Sequence, residues 1–305
     1  MCKKSSFLLL LLAAVWLSGC AVQPTYQRPE IDLPAAWRPA AEGSQEAVPA
    51  GGNWWHLYSD PALEQLIEEA LVSNTGLQEA VARVDEARAM LGQTEAVFYP
   101  AVDATFDRDR TLSSADTGML PPDIPRERNN YRAALNVSYE VDLWGRLRTT
   151  TQAARADLLA TEAARGTVRI TLAADVAKTY FALRALDAQV EATRRTLDLR
   201  EDGLKLQKKR FDGGVISEFD YKQLEAEVAA ARAQLPPLER DREIQEAALS
   251  VLLGRSPRAI MEGGVVRPVV GEEKLLPALV PQGLPSELLL RRPDLTEAEQ
   301  RLFAA

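Results

Sequence analysis

Histidine and cysteine are nearly absent from this chain of 305 residues, which contains a single histidine, His56, and two cysteines, Cys2 and Cys20. A zinc site built from these residue types needs about three or four of them, and an activated serine or cysteine nucleophile needs a histidine base. The composition therefore excludes such a zinc centre and leaves His56 as the one candidate base. His56 directly follows two tryptophans, and we interpret it as structural, so that no metal and no cofactor is expected.

The chain also has no excess of basic over acidic residues. The chain has 36 Lys and Arg residues against 44 Asp and Glu residues, which is a formal net charge of -8. Nucleic-acid phosphates are bound by clustered basic side chains, so nucleic acid is not an expected partner. A hydrolase that uses paired carboxylates stays possible on composition, but the acidic residues are spread along predicted helix faces rather than gathered at one place.

Long apolar runs are missing too. The longest extends over eleven residues, from Phe7 to Leu17, whereas a membrane-spanning helix requires about 20. Two lysines precede this run, which is typical of an export signal. The run ends in the tetrapeptide LSGC, with Cys20 last, and this resembles the cleavage box of bacterial lipoproteins. The resemblance implies that residues 1–19 are a signal peptide and that Cys20 carries a diacylglyceryl group and an N-acyl chain; an ordinary signal with a chance cysteine is the alternative.

Two different sequence patterns follow the cysteine, first a proline-rich one and then a helical one. Residues 20–53 contain five prolines and little periodicity, which predicts an extended, lipidated tether that lies on other parts of the protein. A helix is then predicted from 61 to 98. Asp60 followed by Pro61 gives a cap and a proline in the first turn, and apolar residues recur at spacings of three and four.

Apolar and polar residues then alternate with a period of two, which predicts strands over 101–112 and 129–142 with a polar loop between them. The second strand carries tyrosine, leucine and valine on one face. The polar residues of its other face are Arg132, Asn136, Ser138, Glu140 and Asp142. A soluble, half-buried hairpin gives the same alternation, but three aromatic residues at one level, Phe98, Tyr99 and Trp144, favour a strand pair in a membrane.

A very long helix is predicted over 146–211, because proline is absent and glycine is scarce there. At 1.5 Å per residue it would be roughly 100 Å long. Residues 212–217 form the predicted tip turn, and Ser217 and Asp220 have the spacing of a capping box at the start of a return helix over 218–253. Its adjacent prolines at 236 and 237 are expected to kink or interrupt this helix.

A short stretch near the end repeats an earlier one at a distance of 218 positions. Five residues match: Leu77, Glu79, Ala80, Arg83 and Ala87 reappear as Leu295, Glu297, Ala298, Arg301 and Ala305. A second structural repeat is therefore predicted to begin near the end of the chain.

The order of these elements resembles the outer-membrane channel family of tripartite efflux pumps, of the TolC and OprM type. Four stretches carry the resemblance: Trp54-Trp55 with Tyr58-Ser59-Asp60-Pro61 and Leu63, Glu140 to Arg148, Arg210 to Val215, and Gly283-Leu284-Pro285-Ser286 with Arg291-Arg292-Pro293-Asp294. They mark residues 54–292 as the first outer membrane efflux protein repeat, with an equatorial segment at 254–292, and 293–305 as the start of a second. We therefore expect the 305 residues to be an incomplete chain, and an unusual larger assembly is the alternative.

The implied fold class is mainly α with a small membrane β part. It combines a long α-helical hairpin, part of an α-barrel, with a strand pair of a trimeric, twelve-stranded β-barrel. The implied function is that of a passive export duct for solutes delivered by an RND-type inner-membrane transporter and a periplasmic adaptor protein. The implied partners are thus a homotrimer, these two proteins and outer-membrane lipid. Ala21 stands where an aspartate would retain a lipoprotein in the inner membrane, which fits the outer membrane of a Gram-negative bacterium.

The resemblance also implies sites. Adaptor contacts are expected at the tip residues Gly213, Gly214, Val215, Ile216, Ser217 and Phe219. A plain helix-turn-helix closure explains the glycines and the serine equally well. Asp220 matches the family position whose carboxylate links neighbouring helices at a closed entrance, although it is also the fourth residue of the capping box. The polar face of the second strand would line the lumen of the barrel.

A periplasmic adaptor lipoprotein is the alternative function, since it too combines a lipid anchor with a long helical hairpin. It would need flanking soluble β domains in place of the alternating strand pair.

Cys20→Ala is expected to abolish acylation, because the thiol that carries the diacylglyceryl group is lost. Cys2→Ala is the matched control, since Cys2 lies within the predicted signal peptide. Incorporation of radiolabelled palmitate into the protein measures the outcome. Labelling of Cys20→Ala at the level of the parent would contradict lipidation at this position.

Overall fold

The computed structural model describes Tyr26, Arg28 and residues 53–114, 125–268, 289 and 291–305. The predicted signal peptide, Cys20 and most of the predicted tether lie outside these residues. The elements in chain order are a 3-10 helix (Trp54–Tyr58), α1 (Pro61–Ser73), α2 (Thr75–Ala96), β1 (Ala101–Leu112), β2 (Glu127–Ser138), α3 (Arg146–Asp212), α4 (Glu218–Leu252), α5 (Pro257–Glu262) and α6 (Pro293–Ala304). These residues are mainly helical and contain one strand pair, which confirms the predicted fold class.

The chain divides into two compact units. In the described part of the chain, the first unit contains residues 85–160 and 299–305 with Tyr26 and Arg28, and it includes the strand pair. The second contains residues 53–84 and the described part of 161–298, and it includes the main apolar core. Within the described ranges, no helix is both long enough and apolar enough for a membrane span.

The second strand ends earlier than predicted. β1 and β2 pair antiparallel, with Ala101 opposite Ser138 and Leu112 opposite Glu127. β1 has the predicted bounds, whereas β2 begins two residues before the predicted start at 129 and stops at Ser138 instead of 142. The next position of the ladder would face Pro100, which has no N–H to donate. The predicted strand end at 142 is therefore wrong.

Asn74 divides the predicted helix over 61–98, so the prediction of a single helix is wrong. The backbone of Asn74 is extended, with ψ of 124°, between α1 and α2. Its Oδ1 accepts the N–H of Leu77 at 3.1 Å, and its Nδ2 donates to the carbonyl of Leu252 in α4 at 2.9 Å. Asparagine is a favoured helix cap, so a new helix starts here although the apolar periodicity continues.

Pro236 and Pro237 lie within α4 and do not interrupt it, so of the two expected outcomes, a kink or an interruption, the interruption does not occur. Both prolines are exposed, so water is available to nearby carbonyls that lose an N–H partner. Leu235, directly before them, packs against a buried cluster of Leu197, Val228 and Ala231. This contact holds α4 to α3 at the position of the prolines.

The core of the second unit lies where α1, α3 and α4 meet. Its buried side chains include Trp55, Leu63, Ile67, Val176, Tyr180, Leu183, Leu249 and Leu253. Tyr180 is fully buried and donates its hydroxyl to Asp60 Oδ2 at 2.7 Å, while Asp60 Oδ1 accepts the first backbone N–H groups of α1. Burial, and then the hydrogen bond to Asp60, raises the pKa of Tyr180, which therefore stays protonated as a donor.

Two carboxylates hold Arg267 beside this core. Arg267 Nε lies 2.6 Å from Asp187 Oδ2, and Arg267 Nη1 lies 2.8 Å from Glu246 Oε1. Burial by itself raises the pKa of Glu246, but hydrogen bonds from Arg267 and the Val265 N–H outweigh burial and leave the pKa below its ordinary value. This contribution to stability is present above the ordinary glutamate pKa and is lost as the pH falls through the lowered value.

Gly254→Ala is expected to destabilise the protein by about 2 kcal/mol or more. Gly254 has a φ of +71°, and an added Cβ would lie 2.2 Å from the carbonyl oxygen of Ser73 at the end of α1. Both the left-handed backbone and the close approach of α1 act against a side chain. Urea unfolding followed by circular dichroism measures the loss.

Gly92→Ala is the matched control. Gly92 lies in α2, and an added Cβ meets nothing within 4 Å outside the backbone of its own helix. Alanine should leave stability unchanged or raise it by up to about 1 kcal/mol. Equal unfolding midpoints for the two variants would refute the packing constraint at Gly254.

Candidate functional site

The strand register separates two chemically distinct faces. Directly opposed residues of an antiparallel pair share a face. One face pairs Val102 with Val137, Ala104 with Leu135, and Phe106 with Ala133. The other pairs Asp103 with Asn136, Thr105 with Ala134, and Asp107 with Arg132. The ribbon formed by β1 and β2 therefore has one apolar face and one polar face.

The apolar face of the ribbon is open to its surroundings. Phe106 is 71% exposed and Leu135 is 69% exposed. Contiguous apolar surface of this kind marks a face that an apolar partner covers. Towards the loop end of the ribbon the same face becomes charged, because the Arg108 guanidinium lies 5.5 Å from the Tyr131 ring centre and Arg110 pairs with Glu127. The apolar part is thus a band with an aromatic and basic border.

The polar face contains three of the five predicted lumen residues. Arg132, Asn136 and Ser138 lie on it, opposite Asp107, Asp103 and Ala101. β1 adds three acidic side chains to this face that are not among the predicted lumen residues, namely Asp103, Asp107 and Asp109. The alternation with Val102, Ala104 and Phe106 is the signal that could have found Asp103 and Asp107, whereas Asp109 lies between two arginines.

Glu140 and Asp142 do not belong to the strand, contrary to the prediction. Glu140 forms a two-pronged ion pair with Arg146, with Arg146 Nη2 at 2.6 and 2.8 Å from its two oxygens. Asp142 Oδ2 accepts the backbone N–H of Arg148 at 3.0 Å. Both carboxylates are bound to the first turn of α3, so the structure uses them to begin that helix and not to extend the polar face of β2.

The predicted tip turn joins α3 to α4 through a glycine cap. The Val215 N–H donates to the Arg210 carbonyl and the Gly214 N–H donates to the Phe211 carbonyl, both at 2.8 Å. Gly214 has a φ of +71°. This is the Schellman arrangement, which requires a left-handed residue after the helix end.

Apolar side chains are displayed at this tip. Phe219 is 75% exposed and Val215 is 65% exposed, whereas Ile216 is half-buried. Below the tip, Phe211 and Tyr221 stack across the hairpin with ring centres 5.3 Å apart. The turn is therefore closed internally while two apolar side chains remain accessible.

Asp220 is engaged in a capping box. Its Oδ2 accepts the Ser217 hydroxyl at 2.7 Å and the Ser217 N–H at 3.3 Å, and the Asp220 N–H donates to Ser217 Oγ at 3.1 Å. These bonds begin α4. Within a single chain, the carboxylate thus acts as a helix cap, and it remains at the protein surface.

His56 takes part in a local pair, with Nδ1 at 2.8 Å from Glu64 Oε1. Among the residues that the structure describes, no group of three or more His, Cys, Asp and Glu side chains is placed to hold a metal ion.

The described residues thus combine a two-faced ribbon that has an open apolar band with a very long helical hairpin that follows it in sequence. The family model of the outer membrane efflux protein matches residues 66–255. The chain belongs to this family. The predicted family and the outer-membrane location are thereby confirmed.

Two relatives share substantial identity with the chain. It is 36% identical to the toluene efflux pump outer membrane protein TtgC of Pseudomonas putida, over 98% of this chain and 62% of the relative. It is 33% identical to the pyoverdine export outer membrane protein OpmQ of Pseudomonas aeruginosa, over 97% of this chain and 62% of the relative. The chain thus spans about 62% of the length of these relatives.

The fold is similar to that of the Campylobacter jejuni CmeC outer membrane channel, with a TM-score of 0.82. The sequences are 22% identical, and the match covers 93% of this chain and 60% of that channel. This likeness shows the fold. The alternative of a periplasmic adaptor lipoprotein is not supported by the family or by these relatives.

Proposed function

We propose that this chain is the outer-membrane channel component of a tripartite efflux system and forms part of the wall of a passive export duct. The observation that carries the proposal is the register of β1 and β2, which gathers apolar side chains on one face and charged side chains on the other. The apolar band then contacts lipid and the polar face contacts water. No bond is made or broken in this function, so no cofactor takes part.

The edges of the ribbon support a homotrimer. In the described residues, β1 pairs with β2 and with no further strand. A lipid-exposed strand edge leaves backbone N–H and C=O groups unpaired, which the hydrocarbon region does not tolerate. Strands from further segments and from neighbouring copies therefore complete the wall.

The polar face supports weak charge selectivity. It carries Asp103, Asp107 and Asp109 against Arg128 and Arg132, and Asp107 lies directly opposite Arg132. Charges of both signs in close register largely cancel. We infer a duct that admits varied solutes, with selection left to an RND-type transporter in the inner membrane.

The displayed tip supports contact with a periplasmic adaptor protein. Phe219 and Val215 offer apolar surface, and Gly213, Gly214, Ile216 and Ser217 complete the turn that presents it. Exposed apolar side chains at the end of a rigid element are suited to docking. Acylation at Cys20 would add a lipid anchor to this assembly.

Leu135→Arg and Asn136→Arg test the two faces with neighbouring residues of β2. An arginine at Leu135 would enter hydrocarbon at a cost of about 2–4 kcal/mol near the bilayer centre, so we expect a marked loss of heat-modifiable trimer from the outer-membrane fraction. An arginine at Asn136 would face water, so we expect normal insertion and a reversal potential shifted towards anions in planar bilayers.

The reverse pattern would show that the faces are assigned the wrong way round. Insertion of both variants without any change in conductance or ion selectivity would refute the duct itself.

Asp220→Ala tests the proposed link between neighbouring helices at the closed entrance. Loss of the carboxylate should raise the conductance of the closed channel in planar bilayers, because the helices can then separate. Ser217→Ala is the matched control, since it removes the capping hydroxyl and keeps the carboxylate. If parent and both variants conduct equally, Asp220 serves as a helix cap alone.

A further inference from the structure

Two residues of the N-terminal segment, Tyr26 and Arg28, contact helix α6 through one carboxylate. Glu299 Oε1 accepts hydrogen bonds from the Tyr26 hydroxyl at 3.1 Å and from Arg28 Nε at 2.7 Å, and Arg28 Nη2 donates to Glu299 Oε2. The guanidinium thus binds both carboxylate oxygens, which is the most specific geometry for such a pair. All of these residues lie within the first compact unit.

An aromatic contact extends this site by one helical turn. The rings of Tyr26 and Phe303 lie 6.5 Å apart and meet edge to face at 89°. Glu299 and Phe303 are four residues apart, so they lie on the same side of α6. We call these four residues, Tyr26, Arg28, Glu299 and Phe303, the α6 clamp.

Several contacts acting together matter here, because a single exposed ion pair contributes little to stability. The Glu299 side chain is only 19% exposed. Tyr26 contributes both its hydroxyl and its ring, which restricts the segment in position and in direction. The α6 clamp therefore places Tyr26 and Arg28 against one side of the helix.

Comparison with the predicted first repeat indicates that these residues are particular to α6. In α2, the positions that correspond to Glu299 and Phe303 at a shift of 218 are Val81 and Asp85. Val81 cannot bind a guanidinium, and Asp85 pairs with Arg88 at 2.8 Å within its own helix. The two helices thus share residues elsewhere but differ at the positions that hold the N-terminal segment.

We propose that Glu299 and Phe303 form a docking site for Tyr26 and Arg28 in the segment after Cys20, so that the distance between the lipid anchor and α6 has an upper limit. Tyr26 follows Cys20 by six residues, which span at most roughly 20 Å when fully extended. The docked segment then limits how far α6 can lie from the membrane surface. This last consequence rests on the proposed acylation, whereas the docking does not.

Photo-cross-linking in the full-length protein tests the docking. Benzoylphenylalanine placed at position 27, between the two clamp residues, should cross-link to peptides from 293–305 identified by mass spectrometry. Glu299→Arg should lower this yield at least about tenfold, since it opposes Arg28 with a like charge. The exchanged pair, Arg28→Glu with Glu299→Arg, should restore it. Glu297→Arg on the same helix is the matched control and should keep the parent yield.

A parent protein without cross-links to α6, or a Glu299→Arg variant with the parent yield, would overturn the proposal. If the exchanged pair does not restore the cross-linking yield, the proposed role of the ion pair between Arg28 and Glu299 is wrong. The cross-link does not depend on conduction, so its failure leaves the proposed duct untouched, and a non-conducting protein that still cross-links would fail the duct alone.

Discussion

The unpaired outer edges of the ribbon formed by β1 and β2 are the constraint on which the rest of this structure depends. In the described part of the chain β1 pairs only with β2, so each strand has an outer edge that its own sheet leaves unpaired. Water can satisfy such an edge, but hydrocarbon cannot. The band formed with Phe106, Leu135 and Val137 nevertheless belongs in an apolar medium. Both demands are met only when strands from further segments or copies close the edges, and assembly is therefore a condition for the ribbon to enter a membrane.

Short polar side chains, not large cores, decide where the helices begin. Asp60 caps α1, Asn74 caps α2, Asp142 binds the first turn of α3, and the box of Ser217 and Asp220 starts α4. Between these ends the long helices keep apolar side chains on the surface, among them Leu199, Leu206 and Ile244. Such faces are available to neighbouring copies in the proposed trimer, since helices in proteins gain most of their stability from the packing of their apolar faces.

Much of the fold was predictable because the positions of proline and glycine mark the ends of its elements. The absence of proline and the scarcity of glycine between the second strand and Gly213 predicted α3 to within one residue, and the Gly213-Gly214 pair marked its end. The polar face was only partly predictable. Arg132, Asn136 and Ser138 lie on it, but Glu140 and Asp142 continue the same alternation beyond the point at which the ladder partner becomes Pro100. Periodicity reports which face a side chain would take in a strand, and it does not report whether a pairing partner exists.

The spacing of apolar residues, the helix caps and the turns were determined by the sequence itself, because they arise between residues no more than about four positions apart. The tertiary structure alone decided the contacts between distant positions. Asn74 ends a helix against the Leu252 carbonyl, Gly254 admits the close approach of Ser73, and Tyr26 and Arg28 meet Glu299. None of these contacts has a local signature, since a hydrogen bond or a close packing distance exists only after the fold has brought its two partners together.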